Sequence, residues 1–544
     1  MSARPWWQGA VIYHVYPRSF QDSNGDGTGD LLGIAERLDY IRDLGVDALW
    51  ISPFFKSPQA DYGYDVEDYT DVDPLFGSLE DADQLIERAH ARGLKVMVDL
   101  VLSHTSERHP WFRESRSNRT NSKADWYVWA DPKADGTPPN NWLSIFGGSA
   151  WQWEPRRRQY YLHNFLKEQP DLNMYCPEVV PALLDAARFW LDRGVDGFRL
   201  DAIDCAVHDQ DLRDNPPRST GERLPGGIVA ANPVSMQVQR HNKGLVDTAR
   251  ILLQPLRELC DRYGDVVLLG EIAGDRALEN AVAYAAGGRG IHMAYTFDLL
   301  AADYDAWAFG DIIDRLERSI EGGWPCWSLS NHDVVRAPTR LGGLDPSEAL
   351  RRQLPVLLGC LRGSICLYQG EELGLDEAEL SFEDLHDPYG ITFWPLFKGR
   401  DGCRTPMPWT DEAPHAGFST AKPWLPVPAA HRARTVDDQE ADTSSCLHGV
   451  RAFLHWRRAQ PALLVGDWRR LAAPAGVFAF ERGTARQRLL CAFNLTDHTV
   501  RWAPPLALEM TDAPLAFSGT LASDGTLTLP GHGCLIARLI DERE

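Results

Sequence analysis

Four short apolar segments of this 544-residue chain end in titratable side chains: Asp99-Leu-Val-Leu-Ser-His104, Gly197-Phe-Arg199-Leu-Asp201-Ala202, Leu269-Gly-Glu271 and Ser330-Asn331-His332-Asp333. One acidic segment end is an ordinary solvated rim. Four in succession point to carboxyl groups gathered in one place. A carboxylate and a carboxylic acid flanking one carbon are what cleavage of a glycosidic bond requires, and they lie about 5–5.5 Å apart when the reaction retains configuration. Arg199 is two residues from Asp201 and so shares its face of a strand. A fixed cation there would keep Asp201 ionised and oriented. A carboxyl near two other carboxylates, as Glu271 would be, has its pKa raised; spacing alone assigns no roles among these acids.

These segments belong to a longer series. Apolar runs recur at Val11–Tyr16, Ala48–Ser52, Lys95–Leu100, Gly197–Leu200, Val267–Gly270, Ala294–Phe297, Cys326–Ser330 and Ile365–Tyr368. Helical patterns lie between them, at Asp81–Arg92, Glu178–Arg193, Gln254–Tyr263 and Ile312–Gly322. Strands alternating with helices predict an α/β fold, and eight of them predict a closed (β/α)₈ TIM barrel with function at the C-terminal strand ends. The stretch 104–176 is rich in Trp, Asn, Pro and Gly without a helical period, so a loop-rich subdomain is expected after strand three. A second irregular insertion, proline-rich, spans about 374–446. Arg488–Asn494 and Cys534–Ile540 read as strands of a small antiparallel β-domain. The expected division is 1–103 and 177–459 for the barrel, 104–176 for the insertion and 460–544 for the β-domain.

In order and spacing the four segments resemble the signature regions of glycoside hydrolase family 13, the α-amylase family. Gln169-Pro-Asp-Leu-Asn173 and Tyr368-Gln-Gly-Glu-Glu-Leu-Gly374 match it further, and the likeness runs from about Trp6 to Trp409. The resemblance implies a retaining enzyme in which Asp201 is the nucleophile, Glu271 the general acid/base, and Asp333 a third carboxylate gripping sugar hydroxyls. It implies that His104 and His332 bond the bound glucose. Asp61 and Arg400 resemble the pair that closes a one-sugar pocket in exo-acting α-glucosidases, with Tyr64 as the platform under that sugar. The alternative for Arg400 is a surface ion pair with Asp401. Ala202, directly after the nucleophile position, resembles α-1,4-specific relatives, where a Val accompanies α-1,6 preference. Gly226-Gly-Ile-Val-Ala-Ala-Asn232-Pro233 resembles bacterial α-glucosidases acting on short α-1,4 substrates, some of which transfer glucose to alcohols and phenols. Phe146, Phe165 and Phe297 are candidate apolar walls or plain core residues.

Asp22-Ser-Asn24-Gly-Asp26-Gly-Thr28-Gly-Asp30 sets oxygen donors at alternate positions, like the start of an EF-hand loop, but its twelfth position is Gly33 rather than Glu. Related α-glucosidases imply a structural Ca²⁺ or Mg²⁺ on Asp22, Asn24, Asp26, Thr28 and Asp30, and no cofactor for the chemistry itself. A metal-free turn is the other reading.

The formal net charge of −22 disfavours nucleic acid and anionic membranes as partners and leaves a neutral small-molecule substrate unopposed. No apolar leader or membrane-length run occurs, and ten scattered cysteines show no C-x-x-C pattern, so a cytoplasmic protein with reduced thiols is expected. The Asn118 and Asn494 glycosylation matches are then without meaning. Nineteen tryptophans suit sugar stacking, although each is as readily a core residue. Monomer and homodimer stay open. So do neighbouring activities: a trehalose- or isomaltulose-forming transglucosylase, an oligo-1,6-glucosidase, or a sucrose hydrolase. A non-catalytic barrel of the kind seen in amino-acid-transporter heavy chains would lack the carboxylates found here.

Overall fold

The computed structural model describes residues 4–222, 224–320, 323–515 and 517–540. Each of the eight predicted runs supplies one strand of a closed parallel barrel. They are β1 Val11–Val15, β2 Ala48–Ile51, β3 Lys95–Val101, β4 Gly197–Asp201, β5 Val267–Ile272, β6 Met293–Thr296, β7 Trp324–Trp327 and β8 Ser364–Tyr368. Neighbours in sequence are neighbours in the barrel, and β8 closes onto β1 from Val11–Ile365 to His14–Tyr368. Helices cover one face and packed side chains the other, which is why the strands read as continuous apolar runs.

Alternation along each strand sorts the interior into layers. Ile12, Ala48, Met97, Val267, Met293 and Trp324 belong to the apolar filling. Register then places the polar layer above it: Asp99 pairs with Arg199, and the Gly270–Leu200 pairing sets Glu271 level with Asp201. Gly197 allows this closure, because a Cβ there would meet Val267 Cγ1 at 2.5 Å and the Val267 carbonyl oxygen at 2.8 Å.

Helices Leu79–His90, Val179–Asp192, Gln254–Cys260 and Ala306–Ser319 stand where helical patterns were predicted. The last begins before its predicted start at Ile312 because the Asp305 carboxylate accepts from Trp307 and Ala308 N–H and caps it earlier. The predicted end of that helix at Gly322 lies outside the described residues. β7 ends at Trp327, not Ser330, so His332 and Asp333 ride on the loop that follows.

Three features differ from the sequence reading. Between 104 and 176 an antiparallel sheet forms from Trp129–Ala130, Gln159–Leu162 and Trp151–Glu154, strands too short to show a period. Short helices, Pro388–Phe393 and Val436–Ala441 among them, organise the proline-rich stretch. Helix Cys446–Arg458 was not anticipated. Near the C-terminus a five-stranded antiparallel sheet includes Arg488–Asn494 and Cys534–Leu539, the two strands that were expected. Among the described residues no helix is long and apolar enough to cross a membrane.

Candidate active site

A cavity of about 450 Å³ opens at the C-terminal ends of the strands. Its walls bring together Asp61, Tyr64, His104, Phe146, Phe165, Asp201, Ala202, Glu271, Phe297, His332, Asp333 and Arg400. These are all the sequence-predicted substrate and catalytic positions except Arg199, which lies fully buried beneath the floor.

Arg199 organises that floor. Its Nη1 donates to Asp99 and to Asp201, each at 2.6 Å, and its Nη2 pairs with Glu271. The sequence reading gave it Asp201 alone. Two carboxylates on adjacent nitrogens of one guanidinium are held close, which suits the shorter of the two spacings that glycosidases use, about 5–5.5 Å against 6.5–9.5 Å. Glu271 also accepts the Ala202 N–H at 2.9 Å. Ala202 itself adopts a left-handed backbone, φ 37° and ψ 47°, uncommon for a residue with a Cβ. That turn aims its amide at the acid.

A second guanidinium closes one end. Arg400 Nη2 reaches Asp61 at 2.9 Å and Asp387 at 2.8 Å, and Nη1 reaches Asp333 at 3.1 Å. The surface pair with Asp401 does not form: the Asp401 carboxylate instead accepts the His386 and Asp387 N–H groups. Arg404 adds a second cation on Asp333 at 3.1 Å while donating to the His332 carbonyl. The Gln169 amide donates to Asp61 at 3.1 Å and also lies 3.1 Å from His104 Nε2.

Six carboxylates thus share three guanidinium groups. That imbalance governs protonation. Burial raises Glu271 first of all, and the Asp201 and Asp333 charges add to it against the pull of Arg199. Burial also raises Asp201, so Arg199 does not hold it in the ordinary carboxylate range as the sequence suggested. Asp333 moves the other way: Arg400 and Arg404 outweigh its burial and keep it below the usual range. The site therefore sorts its acids into an ionised Asp333 and a pair, Asp201 and Glu271, that titrates together.

Both histidines stay neutral at neutral pH. Burial lowers His104 to about 4, and lowers His332 well below the usual imidazole value, with Arg404, Arg199 and Arg400 adding to the effect. His332 Nε2 shares a hydrogen bond of 2.7 Å with the Tyr64 hydroxyl, and the two rings lie parallel with centroids 5.3 Å apart. His332 thus lies beside the Tyr64 ring, edge to edge through this bond. Phe146 and Phe165 meet edge to face, and Arg400 sits over the Phe146 ring at 5.2 Å.

The sequence reading missed Asp387, Arg404, Tyr389, Asp204 and Lys243. Asp387 and Arg404 come from the proline-rich stretch, where no strand periodicity locates a side chain. For Arg404 the signal was the run of charges Arg400-Asp401-Gly-Cys-Arg404; Asp387, 13 residues before Arg400, had none.

The Asp22–Asp30 loop lies apart from this cavity. The Asp22 carboxylate accepts the N–H groups of Asn24, Gly25 and Gly27 and the Ser419 hydroxyl. Asp30 accepts from Ser23 and caps a helix through Gly33 N–H. The donor set is hard oxygen, the chemistry of Ca²⁺ or Mg²⁺. Among the described residues, however, no three His, Cys, Asp or Glu side chains gather as a metal-holding group. The loop is shaped by its own amides.

Comparison with known proteins agrees with this geometry. Residues 14–466 match the family model described as the α-amylase catalytic domain. A probable alpha-glucosidase of Rhizobium meliloti (strain 1021) is 52% identical over 542 residues, covering 98% of this chain and 97% of its own. An oligo-1,6-glucosidase of Parageobacillus thermoglucosidasius is 34% identical, with 91% of each chain covered. The crystal structure of the alpha-glucosyl transfer enzyme XgtA superposes with a TM-score of 0.97 at 57% identity, covering 99% of this chain and 100% of that one.

Proposed function

The chain belongs to the α-amylase family of glycoside hydrolases, and from that premise we propose that it is a retaining α-glucosidase that releases or transfers the terminal glucose of short α-1,4-linked substrates and α-glucosides. The observation that carries this reading is the shared guanidinium: Asp201 and Glu271 grip adjacent nitrogens of Arg199 at the floor of a cavity whose end is shut by Asp61 and Arg400.

Terminal glucose enters with its non-reducing end against Asp61, Arg400 and the two histidines. Glu271, protonated, gives its proton to the glycosidic oxygen while Asp201 attacks the anomeric carbon and forms a glucosyl ester. The first leaving group departs on the Glu271 side. Glu271, now ionised, takes a proton from water or from an alcohol, and that oxygen displaces Asp201 with configuration restored. Hydrolysis and transfer differ only in the acceptor. Neutral His104 and His332 can donate to sugar hydroxyls without adding charge, and Asp333 stays ionised to accept from them.

Ala202 leaves open the space beside Glu271 that a branched residue would fill, which supports α-1,4 over α-1,6 linkages. Initial rates on maltose, isomaltose, trehalose and sucrose, with Asp201→Asn as control, test this. Maltose is expected to be the fastest. Rapid isomaltose with slow maltose would move the protein toward the oligo-1,6-glucosidases, and disaccharide isomers of sucrose would mark a synthase.

Three further assignments belong to the same proposal. All ten cysteines are free and buried, which fits a reducing, cytoplasmic compartment. The substrate is a small molecule bound by one chain, as a monomer or in a homodimer. The Asp22–Asp30 loop takes a structural Ca²⁺ or Mg²⁺ that has no part in bond cleavage, checked by elemental analysis and by the shift of the melting temperature on chelation.

A further inference from the structure

The inserted subdomain departs from the charge of the rest of the chain. Residues 104–176 carry ten Lys and Arg against eight Asp and Glu, whereas the whole chain has 55 against 77. On so acidic a molecule, arginines are expected to find carboxylates. Two arginines here are fully engaged. Arg116 lies over the Phe112 ring at 5.2 Å, holds Glu154 at 2.6 Å and reaches Glu107 at 3.3 Å. Arg157, buried, donates to the carbonyls of Ser115 and Ala124 at 2.7 and 2.8 Å. Together they fasten the hairpin of strands Trp151–Glu154 and Gln159–Leu162 to the short helix Pro110–Ser115.

Three other arginines stand on this frame with no partner. Arg108 lies on the loop after β3, Arg113 in the last turn of that helix, and Arg156 in the hairpin turn. All three are exposed, and among the described residues none makes an ion pair or a side-chain hydrogen bond. With Arg116 they line one recess of about 600 Å³, whose carboxylates are Glu67 and Glu107. Glu107 is already taken by Arg116. The Glu154 carboxylate accepts the Arg156 N–H at 3.0 Å and sets the turn. Cations held near one another by a fixed backbone repel. An anion among them relieves that repulsion and meets paired N–H donors on each guanidinium fork.

A second recess, of about 350 Å³, continues from the first through Glu107, Arg116 and Arg156. Its wall is of another kind. Trp153 is 37% exposed, and Tyr160 braces it edge to face with ring centroids 5.1 Å apart. Gln152, Lys167 and Glu168 stand beside it with donors and acceptors for hydroxyl groups. An indole offers a flat apolar surface to the C–H face of a sugar ring. The joined groove thus has a cationic end and an end suited to a polyhydroxylated ring.

We propose that this groove is a second ligand site, which takes a phosphorylated hexose and regulates the first. The phosphate sits among Arg108, Arg113 and Arg156, and the sugar ring lies against Trp153. A bare anion uses only one end of the groove. The route to the catalytic cavity is short. Glu67 and Arg108 line the cationic recess, and Tyr64 and His104, three and four residues earlier, line the catalytic cavity. The two stretches are tied together: the Ser106 N–H donates to the Val66 carbonyl at 2.8 Å, and His104 Nε2 lies 3.1 Å from the Tyr64 carbonyl. A ligand in the groove therefore acts on residues that hold the substrate and is read in KM. That effect on KM rests on the glycosidase reading; the binding itself does not.

Isothermal titration calorimetry of the full chain at low ionic strength, with glucose 6-phosphate, inorganic phosphate and AMP, tests the site. Glucose 6-phosphate is expected to bind saturably, about ten-fold tighter than inorganic phosphate, and to weaken as salt is added. Arg113→Ala and Arg156→Ala should each weaken it about ten-fold while kcat for maltose stays unchanged. Trp153→Ala should erase its advantage over inorganic phosphate. At saturation it should shift KM for maltose about five-fold or more at constant kcat in the parent protein, and not in the arginine variants. No saturable binding, equal binding by the arginine variants, or tighter binding of AMP overturns the proposal. Binding that leaves KM unmoved refutes the regulatory link. A protein that binds glucose 6-phosphate in this way but cleaves no α-glucoside keeps the site and fails the glycosidase reading.

Discussion

Arg199 must serve three carboxylates with one charge, and this single residue sets most of the chemistry. Its guanidinium fork reaches Asp201 and Glu271 at once, which an ammonium cannot do from one position. Arg199→Lys is therefore expected to lower kcat/KM by about 10²–10³-fold, more through kcat than KM, as steady-state kinetics would show. The pH profile follows from the two raised acids. As pH falls, Asp201 gains a proton and stops being a nucleophile; as pH rises, Glu271 loses its proton and can no longer assist departure. A bell-shaped kcat/KM profile is expected, with its acid limb above the ordinary Asp range. An acid limb near pH 4 would mean that Arg199 outweighs burial after all. At this scale the sequence was informative where a residue's partner lay two positions away on its own strand, as for Arg199 and Asp201. It could not show that Glu271 competes for the same cation, because that contact spans 72 residues and depends on inter-strand register.

The barrel strands deliver these residues by alternation, and the deepest constraint is steric. Gly197→Ala would drive a methyl into the Val267 backbone and Met97. A loss of about 1–3 kcal/mol in denaturant unfolding is expected, with reduced activity from any shift of β4. The loops supply what the strands do not. Arg400 reaches the site from the proline-rich stretch and bonds three carboxylates there. Arg400→Ala would leave Asp61, Asp387 and Asp333 in mutual repulsion, so a fall of about 10²-fold or more in kcat/KM for maltose is expected, with KM rising. The strands and their order were legible because burial on both faces leaves continuous apolar runs. The small sheet between 129 and 162 was not, because its strands run only two to four residues. Asp387 and Arg404 escaped for a related reason: irregular backbone gives a side chain no periodic address.

Across the whole molecule, burial raises several carboxyls that have no catalytic part. Asp171 and Glu371 are each pushed up to about 8, and Glu377 to about 7. Each binds a proton in the folded state at pH values where the unfolded chain has lost it, so each lowers stability as pH rises between its unfolded and folded pKa values. Glu371→Gln mimics the protonated form. The variant's melting temperature should therefore gain on the parent protein as pH rises from about 5 toward 8. A gap independent of pH would mean that Glu371 is already ionised when folded. The acidic net charge says nothing of this internal set, because the sequence counts charges without showing which are buried.

The account stands most directly on a covalent bond between glucose and Asp201. Incubation with 5-fluoro-α-glucosyl fluoride, which forms the glucosyl-enzyme faster than it is cleared, followed by peptide mass mapping, reads that bond. The expected result is one fluoroglucosyl unit per chain on the peptide containing Asp201, absent from Asp201→Asn. Labelling of Glu271 or Asp333 instead, or release of β-glucose from α-glucosides with no labelled peptide, would contradict it.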